Sequence, residues 1–281
     1  MRLTVNNIKE MKLRDERISM LTAYDYPTAR ILDEAGIPMI LVGDSLGQVV
    51  LGYDSTVYVT MEDMIHHISA VARGSRRALV VGDMPFMSYQ LGISETLKNA
   101  GRIIQEGGAQ AVKLEGGENV AETVHQIVQC GIPVMGHIGL TPQSVNQLGG
   151  YKVQGKTPKA AAQLLRDAQA LTEAGAFSIV LELVPTQLAQ LITQRSSVPT
   201  IGIGAGKYCD GQVQVINDMV GLFTDFVPKH ARAYASLACT IRDAVLCYVQ
   251  EVSSGSFPSD RESYNIDEGI LAEFLTHSQT S

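Results

Sequence analysis

Eight short apolar runs recur along this chain, and stretches of helical character separate them. The runs are Ile18–Ala23, Met39–Gly43, Ala78–Gly82, Ala111–Leu114, Pro133–His137, Phe177–Val184, Thr200–Gly204 and Met219–Leu222. In the clearest of them apolar residues are continuous rather than alternating with polar ones. That is the pattern of a strand covered on both faces, and so of a parallel sheet. Strands alternating with helices across 281 residues predict an α/β fold, a (β/α)8 TIM barrel, with a doubly wound open sheet as the competitor. The barrel is expected to occupy residues 1–252 with a leading helix over Leu3–Arg17, and residues 253–281 to form a tail with a short helix near Asp267–Thr276.

The stretches between the runs carry start and stop signals. Asp25 caps a helix over Tyr26–Ala35 that Gly36 ends. Thr60 and Asp63 fit a capping box for a helix running to Arg73. Further helices are expected over Ser94–Glu106 with Ser94 as cap, and over Asn119–Gln129, Thr157–Glu173, Gln187–Arg195 and Ala231–Glu251. Gln48–Tyr58 and Gly139–Lys156 read as long loops.

With 45% hydrophobic residues the chain can bury a sizeable core. A net charge of -7 and the lack of a basic run argue against a nucleic-acid partner. No segment approaches the roughly 18 apolar residues of a membrane span, and Met1–Arg17 lacks the apolar centre of a signal peptide. The four cysteines, Cys130, Cys209, Cys239 and Cys247, form no CxxC pair. A cytoplasmic protein with neither zinc site nor disulfide is expected.

In a barrel the chemistry gathers at the carboxyl ends of the strands. Two runs end there in Val-Gly-Asp, delivering Asp44 and Asp83. The next reads Ala111-Val-Lys-Leu-Glu115, so Lys113 and Glu115 share one strand face. The fifth ends in Gly136-His137, and the sixth carries Glu182 among apolar neighbours. Three carboxylates converging on one mouth repel each other unless a cation joins them. Oxygen donors without a Cys/His cluster favour a hard ion, most simply Mg2+. Such an ion leaves room for the carboxylate and keto oxygens of a 2-oxo acid and stabilises an enolate. Glu182 is the candidate general base, its pKa expected to be raised by its apolar surroundings. Lys113 is placed to hold a substrate carboxylate or balance the enolate, and the Ser45 hydroxyl is a candidate donor.

Each residue also has a plain structural reading. A strand-end Asp caps or turns the chain, Lys113 and Glu115 pair with each other, and His137 is a hydrogen-bonded core residue. His66 and His67 are neighbours on different helix faces and read as no metal site. Gly202-Ile-Gly-Ala-Gly206 lacks the spacing of a dinucleotide loop.

Beyond these readings the chain resembles the ketopantoate hydroxymethyltransferase family. The stretches that carry the likeness are Leu21-Thr-Ala-Tyr-Asp-Tyr-Pro27, Val42-Gly-Asp-Ser-Leu-Gly47, Val81-Gly-Asp-Met-Pro-Phe86 and Lys113-Leu-Glu-Gly-Gly117. Gly136-His-Ile-Gly-Leu-Thr-Pro-Gln-Ser144, Gly150-Tyr-Lys-Val-Gln-Gly155, Ile201-Gly-Ile-Gly-Ala-Gly206 and Cys209-Asp-Gly-Gln212 follow in the family's order. The resemblance implies a barrel of the phosphoenolpyruvate/pyruvate type, assembled as a homodecamer. It implies transfer of a one-carbon unit from 5,10-methylenetetrahydrofolate to 3-methyl-2-oxobutanoate, giving 2-dehydropantoate on the way to pantothenate. Asp44, Asp83 and Glu115 then fall on magnesium positions, with one Mg2+ per subunit. Asp44, Ser45, Asp83 and Lys113 fall on 2-oxo-acid contacts, Glu182 on the proton acceptor, and His137 near the substrate. Asn217 before Asp218 departs from the His-Asp expected there. Two rivals remain at this stage: a Mg2+-dependent C–C lyase, for which no reactive Cys follows a strand at the site, and a non-catalytic barrel, which would have lost strand-end acids.

Overall fold

The computed structural model describes residues 1–278; the last three residues of the expected tail lie outside the described residues. Met1–Tyr234 form one compact unit and Ala235–Ser281 a second. The first unit is a closed barrel of eight parallel strands in sequence order. The strands are β1 Ile18–Thr22, β2 Met39–Val42, β3 Leu79–Asp83, β4 Ala111–Glu115, β5 Val134–Gly139, β6 Ser178–Glu182, β7 Thr200–Ile203 and β8 Gly211–Gln214.

The helices of this unit are α1 Val5–Leu13, α2 Tyr26–Glu34, α3 Leu46–Val49, α4 Met61–Gly74, α5 Ile93–Gln105, α6 Ala121–Gln129, α7 Val145–Leu148, α8 Pro158–Glu173, α9 Thr186–Arg195 and α10 Ile216–Met219. Several begin as the sequence says they should. Asp25 accepts from the Thr28 backbone N–H, and Thr60 and Asp63 form a reciprocal capping box. Helix α5 does not begin at Ser94: Gly92, at φ +105, is the N-cap, and Ser94 lies inside the first turn. The left-handed backbone open to glycine lets the helix start earlier than a side-chain cap would.

Two expectations near the end of the barrel are corrected. The eighth strand is Gly211–Gln214, not Met219–Leu222, and Met219 belongs to α10. β8 pairs with β1 from Ile18↔Gly211 to Leu21↔Gln214, and with β7 at Ile201↔Gly211. Its only apolar side chain is Val213, so closure rests on backbone pairing rather than on an apolar run. Gly211 is required there, because a Cβ would stand 2.6 Å from Ile201 Cδ1 and collide with the Ile18 carbonyl. Nor does the helix expected from Ala231 start there. The Arg232 N–H donates to Gln214 Oε1 and the Tyr234 N–H to the Met219 carbonyl, both at 2.7 Å, so these backbone donors are committed to the barrel.

Side chains along each strand alternate between two apolar layers. Ile40, Val42, Val80, Val112, Leu114, Ile179 and Leu181 face outward into the shell under the helices. Met39, Leu41, Leu79, Val81, Ala111, Met135 and Val180 fill the barrel interior, and Ile8 of α1 joins them. α1 therefore closes the amino end of the barrel, with Leu3, Val5 and Met11 packed against the interior layer. Polar anchors hold this end. The Arg2 guanidinium donates to the Ala78 carbonyl at 2.9 Å and to Gln110 Oε1 at 3.0 Å. Lys12 Nζ donates to Asp210 Oδ2 at 2.8 Å and to the Thr193 carbonyl at 3.2 Å.

The second unit holds α11 Leu237–Ser254 and α12 Glu268–Ser278. The large apolar side chains of α11 are exposed, among them Ile241, Leu246, Tyr248 and Val249. Among the described residues no helix is long and apolar enough to cross a membrane.

Candidate active site

The strand period of two delivers the polar residues. In β3, Leu79 and Val81 point inward, so Asp83 does too; in β4, Ala111 is followed inward by Lys113 and Glu115. The same parity carries Met135 to His137 in β5 and Val180 to Glu182 in β6. Near the carboxyl ends of these strands, the interior layer changes from apolar to charged. Asp44 lies just past the end of β2, after Gly43, in the turn before α3.

Register explains who touches whom. Asp83 and Lys113 are Cα partners, and Lys113 Nζ donates to Asp83 Oδ1 at 2.6 Å. Glu115 and His137 are partners on the next pair, with His137 Nδ1 3.4 Å from Glu115 Oε1. His137 Nε2 reaches the other way, 3.2 Å from Glu182 Oε2. These two His approaches lie within ion-pair range but lack hydrogen-bond alignment, so Glu115 Oε1 and both ring nitrogens are buried without a hydrogen-bond partner. The Asp44 backbone N–H donates to Asp83 Oδ2 at 3.3 Å, drawing the two aspartates together. Ser45 stands beside them, its Oγ 2.9 Å from the Tyr24 hydroxyl.

Asp44, Asp83, Lys113, Glu115 and His137 are all buried. Glu182 is not sealed among apolar side chains: as the last residue of β6 it rises above the apolar layer, and its side chain keeps 16% exposure. Burial drives the Asp44 pKa well above the usual carboxylate range, and the charges of Asp83 and Glu115 add to the rise. Burial also raises Asp83, against the pull of Lys113. Burial alone would lower Lys113, but Asp83, Glu115 and Asp44 outweigh it and keep the ammonium charged. Glu115 is held below its ordinary value: burial works against this, but His137, Lys113 and the Gln143 backbone N–H prevail. The His137 ring, which burial and Lys113 would lower, is instead raised to about 9 by Glu115 and Glu182.

The six predicted side chains therefore meet at one mouth, as a cluster too rich in carboxylate for its single lysine. Its oxygen donors suit a hard divalent cation, and Glu115 Oε1 is a buried oxygen without a donor. Among the described residues, no group of three or more His, Cys, Asp or Glu side chains is arranged to hold a metal ion as it stands. Mg2+ asks for less than that, since it is commonly held by one or two carboxylates and keeps waters for the remaining positions.

The sequence reading missed Tyr24, Tyr89 and Gln143. Gln143, in the turn Pro142–Ser144 after β5, touches both Asp44 and Glu115. It falls within the stretch from Gly136 to Ser144, but a neutral amide leaves no mark in a search for charged strand ends.

Comparison with known proteins follows the same line. The ketopantoate hydroxymethyltransferase profile matches residues 2–260. A protein of Dehalococcoides mccartyi named 3-methyl-2-oxobutanoate hydroxymethyltransferase is 66% identical over 273 residues, covering 97% of each chain. One of the same name from Clostridium botulinum is 57% identical over 271 residues, covering 96% of this chain and 98% of its own. Among solved structures, phosphonopyruvate hydrolase in complex with oxalate and Mg2+ superposes with a TM-score of 0.57 at 12% identity, over 99% of this chain and 98% of the other. 2,3-Dimethylmalate lyase, of the PEP mutase/isocitrate lyase superfamily, gives 0.58 at 15% identity, over 98% and 100%. At these identities the solved structures speak to the fold alone.

Proposed function

The chain belongs to the ketopantoate hydroxymethyltransferase family, and from that membership we propose that it converts 3-methyl-2-oxobutanoate and 5,10-methylenetetrahydrofolate to 2-dehydropantoate and tetrahydrofolate. The C3–H bond of the 2-oxo acid breaks and a bond from C3 to the transferred carbon forms. Water supplies the hydroxyl oxygen, and tetrahydrofolate leaves. The observation that supports this most is the meeting of Asp44, Asp83, Lys113, Glu115 and Glu182 at one barrel mouth, with Asp44 and Asp83 driven up in pKa by burial and by neighbouring charge.

Asp44, Asp83 and Glu115 are the residues that would hold Mg2+, which would supply Lewis-acid charge toward the 2-oxo acid. Glu182 takes the C3 proton: it is the carboxylate of the cluster that keeps access to the mouth. The Lys113 ammonium, fixed by Asp83, balances the negative charge that develops as that proton leaves. The Ser45 hydroxyl, held by Tyr24, donates to the substrate carboxylate, and Asp44 and Asp83 border the same space. His137, between Glu115 and Glu182, keeps the base oriented.

The test is turnover of 3-methyl-2-oxobutanoate with methylenetetrahydrofolate, before and after chelation, with product identified by mass. We expect 2-dehydropantoate only with the folate donor, loss on chelation and recovery with Mg2+. Folate-independent cleavage of a 2-oxo acid, or full activity after thorough metal removal, would overturn the scheme.

A further inference from the structure

Gln143 is 4% exposed and binds groups at or just past the carboxyl ends of three other strands at once. Its Nε2 donates to Asp44 Oδ2 and to the Met84 carbonyl, each at 2.9 Å. Its backbone N–H donates to Glu115 Oε2 at 3.0 Å. Its Oε1 accepts from the Tyr89 hydroxyl at 2.7 Å. The Tyr89 oxygen in turn accepts from the Glu115 N–H at 3.3 Å. Two acceptors on one side of the amide and a hydroxyl on the other leave one sensible orientation for it, with the NH2 toward Asp44. A buried polar network with each of these partners in place holds its members rigidly.

Resting on the function proposed above, we propose that Gln143, oriented by Tyr89, is the positioning residue of the acidic mouth. It fixes the Asp44 carboxylate and the Glu115 carboxylate relative to each other before cation and substrate arrive. The reason lies in what else Asp44 faces. The carboxylates of Asp83 and Glu115 repel it; the Lys113 ammonium attracts it, but its hydrogen bond goes to Asp83. The Gln143 amide is the side chain that donates a hydrogen bond to Asp44, and so it sets the direction in which that carboxylate points. A glutamine that only knitted loops together would contribute to stability and leave cation affinity alone.

The experiment compares wild type with Gln143→Met and Tyr89→Phe. Methionine keeps the length and the backbone N–H to Glu115 while removing the amide; phenylalanine removes one hydroxyl. The readouts are the Kd for Mn2+ measured calorimetrically without substrate, kcat and KM for the 2-oxo acid, and Tm. We expect Gln143→Met to weaken Mn2+ binding at least tenfold and lower kcat at least tenfold at a temperature where it is folded. We expect Tyr89→Phe to weaken Mn2+ binding at least threefold. A folded Gln143→Met with Kd and kcat within twofold of wild type overturns the proposal whatever its Tm. If Gln143→Met does not fold, Tyr89→Phe decides, and an unchanged Kd overturns it. Wild type that binds Mn2+ but does not form 2-dehydropantoate refutes the function above while the Kd comparison still decides the role of Gln143. Wild type that binds no Mn2+ refutes the positioning role itself.

Discussion

His137 Nε2 stands 3.2 Å from Glu182 Oε2, on the adjacent strand and two residues beyond Val180, the Cα partner of His137. The other nitrogen of the same ring faces Glu115, so one imidazole separates the candidate base from the candidate cation site. Both carboxylates favour the charged ring and raise its pKa to about 9.

That shift has a sign in the stability of the metal-free protein. A histidine whose folded pKa exceeds its unfolded value of about 6.5 stabilises the fold fully below that value. The contribution fades as pH rises through about 9. Chemical denaturation of wild type and His137→Gln, both with chelator, should therefore show a stability difference that shrinks over this window by up to about 3 kcal/mol. Parallel curves would show that the ring does not titrate as the geometry requires.

Glu182→Gln removes the proton acceptor and changes shape very little. Deuterium exchange at C3 of 3-methyl-2-oxobutanoate in the absence of folate should fall by about 100-fold or more, the usual size of a general-base contribution. Substrate affinity should change by less than threefold. Exchange at the wild-type rate would assign the proton to another group.

Asp44 costs the empty protein stability, because burial and like charge raise its pKa and its ionised form is the disfavoured one at neutral pH. Asp44→Asn keeps an oxygen for the Gln143 amide and discards the charge. In chelator the variant should melt at or above the wild-type temperature, while turnover is lost even at high Mg2+. A lower melting temperature would mean that Asp44 serves the fold more than the chemistry.

Gly139 ends β5 at φ +96, where a Cβ would collide with the Glu182 carbonyl oxygen and stand 2.8 Å from Val184 Cγ2. Gly139→Ala adds a strained backbone to a backbone clash and should cost about 2–4 kcal/mol of stability. It should also lower kcat by displacing Glu182. A variant with wild-type Tm and kcat would show that β5 and β6 can separate freely at this rim.

The barrel was legible because parallel strands covered on both faces write themselves as apolar runs, and seven of the eight strands lie on such runs, the clearest of them, β2 and β3, being continuous up to the strand end. The eighth strand was not, because Gly211-Gln-Val-Gln214 is joined through its backbone and has little apolar side chain to show. Charged site residues stood out for a related reason: a carboxylate at the end of an apolar run is costly and therefore conspicuous. Gln143 carries no charge, sits in a turn, and acts on residues 99 and 28 positions away, so nothing local marks it. The expected seclusion of Glu182 failed because its neighbours in sequence alternate to the opposite side of the sheet, and what surrounds a strand-end side chain is decided by the rim.

The two openings of the barrel are built from different material. Arg2, Lys12 and the apolar face of α1 stopper one, and an unbalanced acidic ring lines the other. Loosening the plug would unfasten the amino end without touching a reacting group, whereas damage at the acidic end can reach both folding and turnover.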